Sequence, residues 1–148
     1  MAIRRGFRFW STLALLAPAS AMALEYLAVA EPAVLYDAPS AKAKPRFIVT
    51  RDTPLEIVVT VGAWVKVRDV DGDLVWIGKS SLAAKRTVIV RAERSQVRAA
   101  ADESSALLFE AERRVVLDLM EPGPPGWAKV QHRDGQTGFV KAAQVWGL

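Results

Sequence analysis

Residues 127–140 read WAKVQHRDGQTGFV, and residues 64–77 read WVKVRDVDGDLVWI. At an offset of 63 residues, Trp64, Lys66, Val67, Asp71 and Gly72 fall on Trp127, Lys129, Val130, Asp134 and Gly135. Trp76-Ile77 falls on Phe139-Val140, a conservative exchange. Each stretch is two runs of β-branched and aromatic residues separated by Asp-Gly, the pair most often found in a tight hairpin turn. The chain therefore carries one hairpin unit twice, and a repeat of this length is the first thing to establish about a fold.

The same offset extends outward, placing Val34 on Val97 and Leu82 on Val145. Short extended runs fill both halves, from EYLAVA, AVLYDA and PLEIVV in the first to TVIVRA, SQVRA and RVVLDLM in the second. Pro, Gly, Asp and Ser punctuate them, the pattern of an all-β barrel or sandwich. Residues 100–113 are rich in Ala and Glu, but their place in the repeat predicts loop and strand rather than helix. Two copies are too few for a solenoid. They predict tandem units of about 60 residues each, over 24–84 and 85–148. The connection Leu82-Ala83-Ala84-Lys85-Arg86 is short, so the two units are expected to pack together.

A two-residue turn at Asp71-Gly72 sets Val67 opposite Trp76 and Lys66 opposite Ile77. Alternation then puts Val65, Val67 and Trp76 inward and Trp64, Lys66 and Arg68 outward. In the second copy Ala128, Val130 and Phe139 face inward, and Trp127, Lys129 and Gln131 outward. A bulge at the turn shifts this register by one residue.

The pattern W-x-K-V-x-x-x-D-G-x-x-G-[WF]-[VI], with the KAAQVW tail, resembles the signature hairpin and closing strand of bacterial SH3 domains. The likeness spans residues 24–148. It departs at Val75, where the second copy has Gly138 and the family usually has glycine. The resemblance implies tandem small SH3-like barrels in an exported protein, with a binding or adaptor role. Members of that family often hold cell-wall peptides or help to place wall hydrolases on peptidoglycan.

Residues 1–23 carry Arg4, Arg5 and Arg8, then an apolar run from Phe9 to Leu16, then Ala21-Met22-Ala23. This is the layout of a secretory signal peptide cleaved after Ala23. The run is shorter than the about 20 residues a membrane span needs. The Arg4-Arg5 pair leaves twin-arginine export open beside the general route. Cleavage removes three of the 20 basic residues and none of the 16 acidic ones, so a formal charge of +4 falls to +1. The high pI of about 9.7 thus belongs largely to the leader, and the mature chain lacks the clustered basic run of a nucleic-acid binder. With no cysteine in the chain, disulfides, thiolate metal sites and a lipidated cysteine are excluded. The expectation is a periplasmic protein with no membrane anchor after cleavage.

Chemistry-bearing motifs are sparse. DVDGD at 69–73 does not space its glycine as a calcium loop does, and Ser80 stands where the closing glutamate belongs. His132 is the only histidine, too few for zinc without cysteine, and no G-x-S-x-G nucleophile turn occurs. No enzymatic activity and no cofactor are expected. AVLYDA resembles the groove motif of proline-binding SH3 domains, which makes Tyr36 a candidate ligand contact; a plain strand and turn explains it as well. Trp64 and Trp127 are the sharper candidates, because aromatic anchors dominate binding surfaces. Lys66 and Lys129 beside them are placed to meet a carboxylate. Either tryptophan is alternatively covered by its own barrel's loops, and Trp146 is placed to close the barrel or the seam between barrels. The expected partner is a cell-wall peptide, or alternatively a periplasmic protein such as a wall hydrolase that the chain adapts or regulates.

Overall fold

The computed structural model describes residues 23–148, so the leader expected over 1–23 lies, but for its last residue, outside the described residues. The described chain is all-β and forms two seven-stranded antiparallel barrels. The first contains β1 (Tyr26–Val29), β2 (Ala33–Tyr36), β3 (Pro45–Val49), β4 (Pro54–Val61), β5 (Trp64–Arg68), β6 (Leu74–Gly78) and β7 (Leu82–Ala83). The second contains β8 (Thr87–Val90), β9 (Arg94–Arg98), β10 (Leu107–Glu112), β11 (Val116–Pro122), β12 (Trp127–Gln131), β13 (Thr137–Lys141) and β14 (Val145–Trp146). Strand order is β3-β2-β6-β5-β4-β1-β7 in one and β10-β9-β13-β12-β11-β8-β14 in the other, the same topology twice. Residues 99–106 are loop and β10 follows, as the repeat predicts and helix propensity does not.

Each barrel has its own core. Val29, Leu35, Leu55, Val65, Val67, Val75 and Ile77 fill the first. Val88, Val97, Leu117, Ala128, Val130 and Val140 dominate the second. Most are valine or isoleucine, joined by Leu35, Leu55, Leu117 and Ala128, which suits the interior of a narrow barrel.

The hairpin register differs from the two-residue expectation. Asp69 donates its N–H to the Asp73 carbonyl (3.1 Å) and Gly72 donates to the Asp69 carbonyl (3.0 Å). Only Gly72 of this turn has positive φ, at 91°. The turn is therefore a four-residue type I turn closed by a glycine bulge, not a type I′ pair. The second copy repeats it, with Gly135 at φ 93° and the His132–Gln136 and Gly135–His132 bonds at 2.8 and 2.9 Å. One extra residue in the turn slips the ladder by one: Lys66 pairs with Trp76 and Val67 with Val75, Lys129 with Phe139 and Val130 with Gly138. A one-residue slip exchanges the faces of a strand. Trp76 and Phe139 are accordingly outward and half-buried, while Val75, Ile77 and Val140 are core.

The repeat offset also drifts. Leu35 pairs with Phe47 as Val97 pairs with Phe109, so Leu35, not Val34, corresponds to Val97. Tyr36 then corresponds to Arg98. Leu35 follows Val29 by six residues where Val97 follows the equivalent Val90 by seven, and the EPGPPG segment before Trp127 adds one more. The correspondence of Leu82 with Val145 stands, since they pair with the equivalent Val29 and Val90.

The barrels meet along a seam. Trp146 packs edge-on against Tyr26, with ring centroids 5.1 Å apart. Thr87 Oγ1 donates to the Asp52 carbonyl at 2.6 Å. Lys85 Nζ lies 2.9 Å from Asp118 and 3.2 Å from Asp52, and Arg114 pairs with Asp71 at 2.7 Å. Ile89 is buried but belongs to neither core.

Candidate functional site

The slipped register gathers the first barrel's outward aromatics on one face. Tyr36 pairs with Trp76 and meets Trp64 edge-on at 5.5 Å and 88°. Lys66 Nζ lies 5.9 Å from the Trp76 ring centroid, a cation–π contact that the sequence reading missed because it set Trp76 in the core. Tyr36, Trp64 and Lys66 are therefore neighbours, each already in contact with an aromatic ring of the same face.

The second barrel differs. Lys129 turns to Glu121 at 3.5 Å. Trp127 is half-buried at one side of a cleft of about 450 Å³, lined also by Arg94, Arg98, Glu103, Glu110 and Lys141. The cleft comes from four exchanges at register-equivalent positions. Gln96, Arg98, Glu110 and Lys141 stand where the first barrel has Val34, Tyr36, Ile48 and Gly78. Arg98 occupies Tyr36's place, so among the described residues no ring packs on Trp127 as Tyr36 packs on Trp64.

The cleft's polar groups are positioned by their own bonds. Arg98 donates to the Ser105 carbonyl (2.8 Å) and to Gln96 Oε1 (2.6 Å). Ser105 is itself fixed, its hydroxyl donating to the Asp102 carbonyl at 2.7 Å. Ser95 Oγ donates to Gln144 Oε1 at 2.7 Å beneath the floor. Arg94 pairs with Glu110 at 3.4 Å. Lys141 pairs with Glu103, and that hydrogen bond holds the Glu103 carboxyl below its ordinary range.

The other singled-out residues have structural work. Asp69 Oδ1 accepts the N–H groups of Asp71 (3.0 Å) and Asp73 (2.9 Å), while the Asp71 carboxylate is bound to Arg114, so these two carboxylates of DVDGD serve the turn and the seam. His132 takes the place of Asp69, its Nδ1 3.1 Å from Asp134 Oδ1 and its ring tilted over Phe109 at 5.6 Å. Among the described residues no group of three or more His, Asp or Glu side chains is placed to hold a metal ion. No described helix is long and apolar enough to cross a membrane.

Asp69 gives a test of the turn. Burial, reinforced by repulsion from Asp73 and Asp71, pushes its carboxyl above the ordinary aspartate range despite the two N–H donors. A carboxyl with a raised folded pKa contributes stability that is complete below its unfolded pKa and is lost as pH rises through the folded value. At pH 7 the charge is therefore a cost, and only the acceptor atom is useful. Asp69→Asn keeps an acceptor and is expected to be as stable as the parent or more so at pH 7, with the gain gone at pH 3. Asp69→Ala loses both bonds and is expected to cost about 1–2 kcal/mol. Urea unfolding at the two pH values reads this, and equal damage from Asn and Ala would refute it.

Comparison with known proteins agrees with the geometry. The family model described as bacterial SH3 domain matches residues 29–83 and again residues 91–147. The chain belongs to the bacterial SH3 domain family. No curated protein matches it. Among solved structures it is similar to NlpC2 from Trichomonas vaginalis, with 10% identity, a TM-score of 0.38, and coverage of 86% of this chain and 49% of the other. It is also similar to NlpC1 from the same organism, at 13% identity and TM-score 0.37 over 90% and 50% of the two chains. A third is an NlpC/P60 family protein from Bacillus cereus, at 14% identity and TM-score 0.38 over 82% and 56%. The chain thus spans about half the length of each.

Proposed function

We propose that this bacterial SH3 protein is a non-catalytic, exported binding protein of the cell envelope that holds a peptidoglycan peptide in the Trp127 cleft. The observation that carries the proposal is the cleft itself, an indole wall with charged groups fixed around it in a family whose members often hold wall peptides. Ligand sites pair an apolar wall with a few convergent polar groups in this way. Trp64, Lys66 and Tyr36 form a second, aromatic contact surface on the first barrel. The leader pattern supports a periplasmic location, and the near-neutral mature chain argues against nucleic acid.

Purified protein is expected to co-sediment with isolated peptidoglycan. Trp127→Ala is expected to weaken this about 30-fold, as loss of a central aromatic anchor does, while leaving the unfolding transition in place. Absence of co-sedimentation would overturn the proposal. One observation favours an adaptor role as the second reading: Ile48 is 79% exposed on β3, at the open edge of the first sheet, where a partner strand can add. Capture of a periplasmic protein without affinity for isolated wall would decide for it.

A further inference from the structure

The two barrels keep the tryptophan and exchange what surrounds it. Around Trp64 the equivalent positions are Val34, Tyr36, Ile48 and Gly78, none of them an acidic or basic residue. Around Trp127 they are Gln96, Arg98, Glu110 and Lys141. Four matched positions on one face of a duplicated fold therefore differ in chemistry.

The charges in the second cleft do not cancel. Glu110 is paired with Arg94 and Glu103 with Lys141. Arg98 bonds only to neutral oxygens, a backbone carbonyl and a glutamine amide, and has no carboxylate partner among the described residues. A guanidinium carries five N–H donors, and two are used. Asp102 and Glu103 feel its charge without bonding it, and its remaining donors belong to a side chain lining the same cleft as the Trp127 indole. Its two neutral bonds hold the planar group in place, so little side-chain freedom is lost when an anion arrives.

We infer that the second barrel's cleft takes the free carboxylate of a peptide terminus, with Arg98 as its specificity-determining cation and Trp127 as the wall against which the terminal residue lies. The inference rests on the peptide-binding reading above and names the group that is read. A planar, bidentate-capable donor is the natural match for a carboxylate. The first barrel has Tyr36 in place of Arg98, and the Lys66 ammonium on the same face lies against the Trp76 ring, so it is expected to show no such preference.

A peptide carboxylate has two sources, wall peptides ending in D-residues and proteins ending in L-residues, and the test separates them. N-acetyl-alanyl-alanine is titrated into the full chain as the free acid and as the carboxamide, each in D and L forms, while the tryptophan indole N–H signals are followed by NMR. The Trp127 signal is expected to shift with the acid at about tenfold lower concentration than with the amide, and added salt is expected to shrink that difference. Trp64 is expected to show no acid preference. Arg98→Gln is expected to abolish the preference with the rest of the spectrum unchanged, and Arg98→Lys to keep part of it. Equal binding of acid and amide by the parent, or an acid preference that survives Arg98→Gln, overturns the inference. Tighter binding of the L acid keeps the carboxylate assignment and overturns the wall reading. Co-sedimentation with wall but no acid preference does the reverse.

Discussion

Replacing Gly138 with valine is expected to destabilise the second barrel by about 3 kcal/mol, the upper part of the range for overpacking a filled core. A Cβ at Gly138 would lie 2.6 Å from Val97 Cγ1, 2.7 Å from the Arg98 carbonyl oxygen and 3.1 Å from Leu108 Cδ1. The leucine can turn aside. The Arg98 carbonyl is backbone at the single residue pair joining β9 to β13, so that junction must open. The first barrel carries Val75 at the matching position, buried at 3% exposure, which shows that the topology itself tolerates a side chain there. The difference lies in the neighbours. The bulge residue of the flanking strand is Leu108 in the second barrel and the exposed Arg46 in the first, and Leu35 replaces the β-branched Val97. Thermal unfolding followed by tryptophan fluorescence measures the effect. Adding Val97→Ala to the Gly138→Val variant is expected to return part of the loss, since the two sites share one space and do not add. A Gly138→Val protein that melts with the parent would show that the close approach is not a packing constraint.

That pair of positions also shows what a sequence can and cannot reveal here. The duplication, the strand character and the hairpins were legible, because Trp-x-Lys-Val and Asp-Gly recur at fixed spacing and each choice is locally consistent. The turn type was not. Asp-Gly suits a type I′ pair, and it equally suits a type I turn whose glycine forms the bulge. The two differ by one residue of register, which sends Trp76 and Phe139 to opposite faces. Gly138 was the available signal: an inward glycine between Thr137 and Phe139 implies a crowded neighbour on the core side, and so an outward Phe139.

The candidate site was half legible for a related reason. Trp64 and Trp127 stood out as large aromatics on a polar face. Arg98, Lys141, Glu103 and Glu110 did not, since charged residues at alternate strand positions read as a solvated face. Only the register match of Arg98 with Tyr36 reveals an exchange of chemistry, and that match requires the one-residue drift in repeat offset that the Val34–Val97 alignment concealed. Trp146 was readable as a barrel or seam residue. Its partner Tyr26 lies 120 positions away in the chain, beyond any local pattern.

The seam makes the second large effect a test of coupling. Leu117 is fully buried in the second core, as Leu55 is in the first, and truncating either to alanine is expected to cost about 2–5 kcal/mol in lost transfer energy and cavity. Such a loss consumes much of the stability of a small domain. If the barrels were independent, Leu117→Ala would melt the second barrel early and leave the first untouched, giving two transitions. The contacts predict otherwise. Tyr26 of the first barrel is buried at 6% exposure with Trp146 packed edge-on against it and the Arg86 guanidinium 5.9 Å from its ring centroid. Gly147, at φ 114°, brings the second barrel's C-terminal end against Pro54, and the Asp52 carbonyl is capped by Thr87. Unfolding the second barrel strips all of these from the first, so Leu117→Ala and Leu55→Ala are each expected to lower one common transition, seen alike by calorimetry and by tryptophan fluorescence. Trp146→Ala removes the largest shared side chain and is expected to split the Leu117→Ala transition in two. Two transitions in Leu117→Ala alone would show that the seam is contact without coupling. A single transition that survives Trp146→Ala would place the coupling instead in the Lys85, Thr87 and Arg114 bonds to Asp52, Asp118 and Asp71.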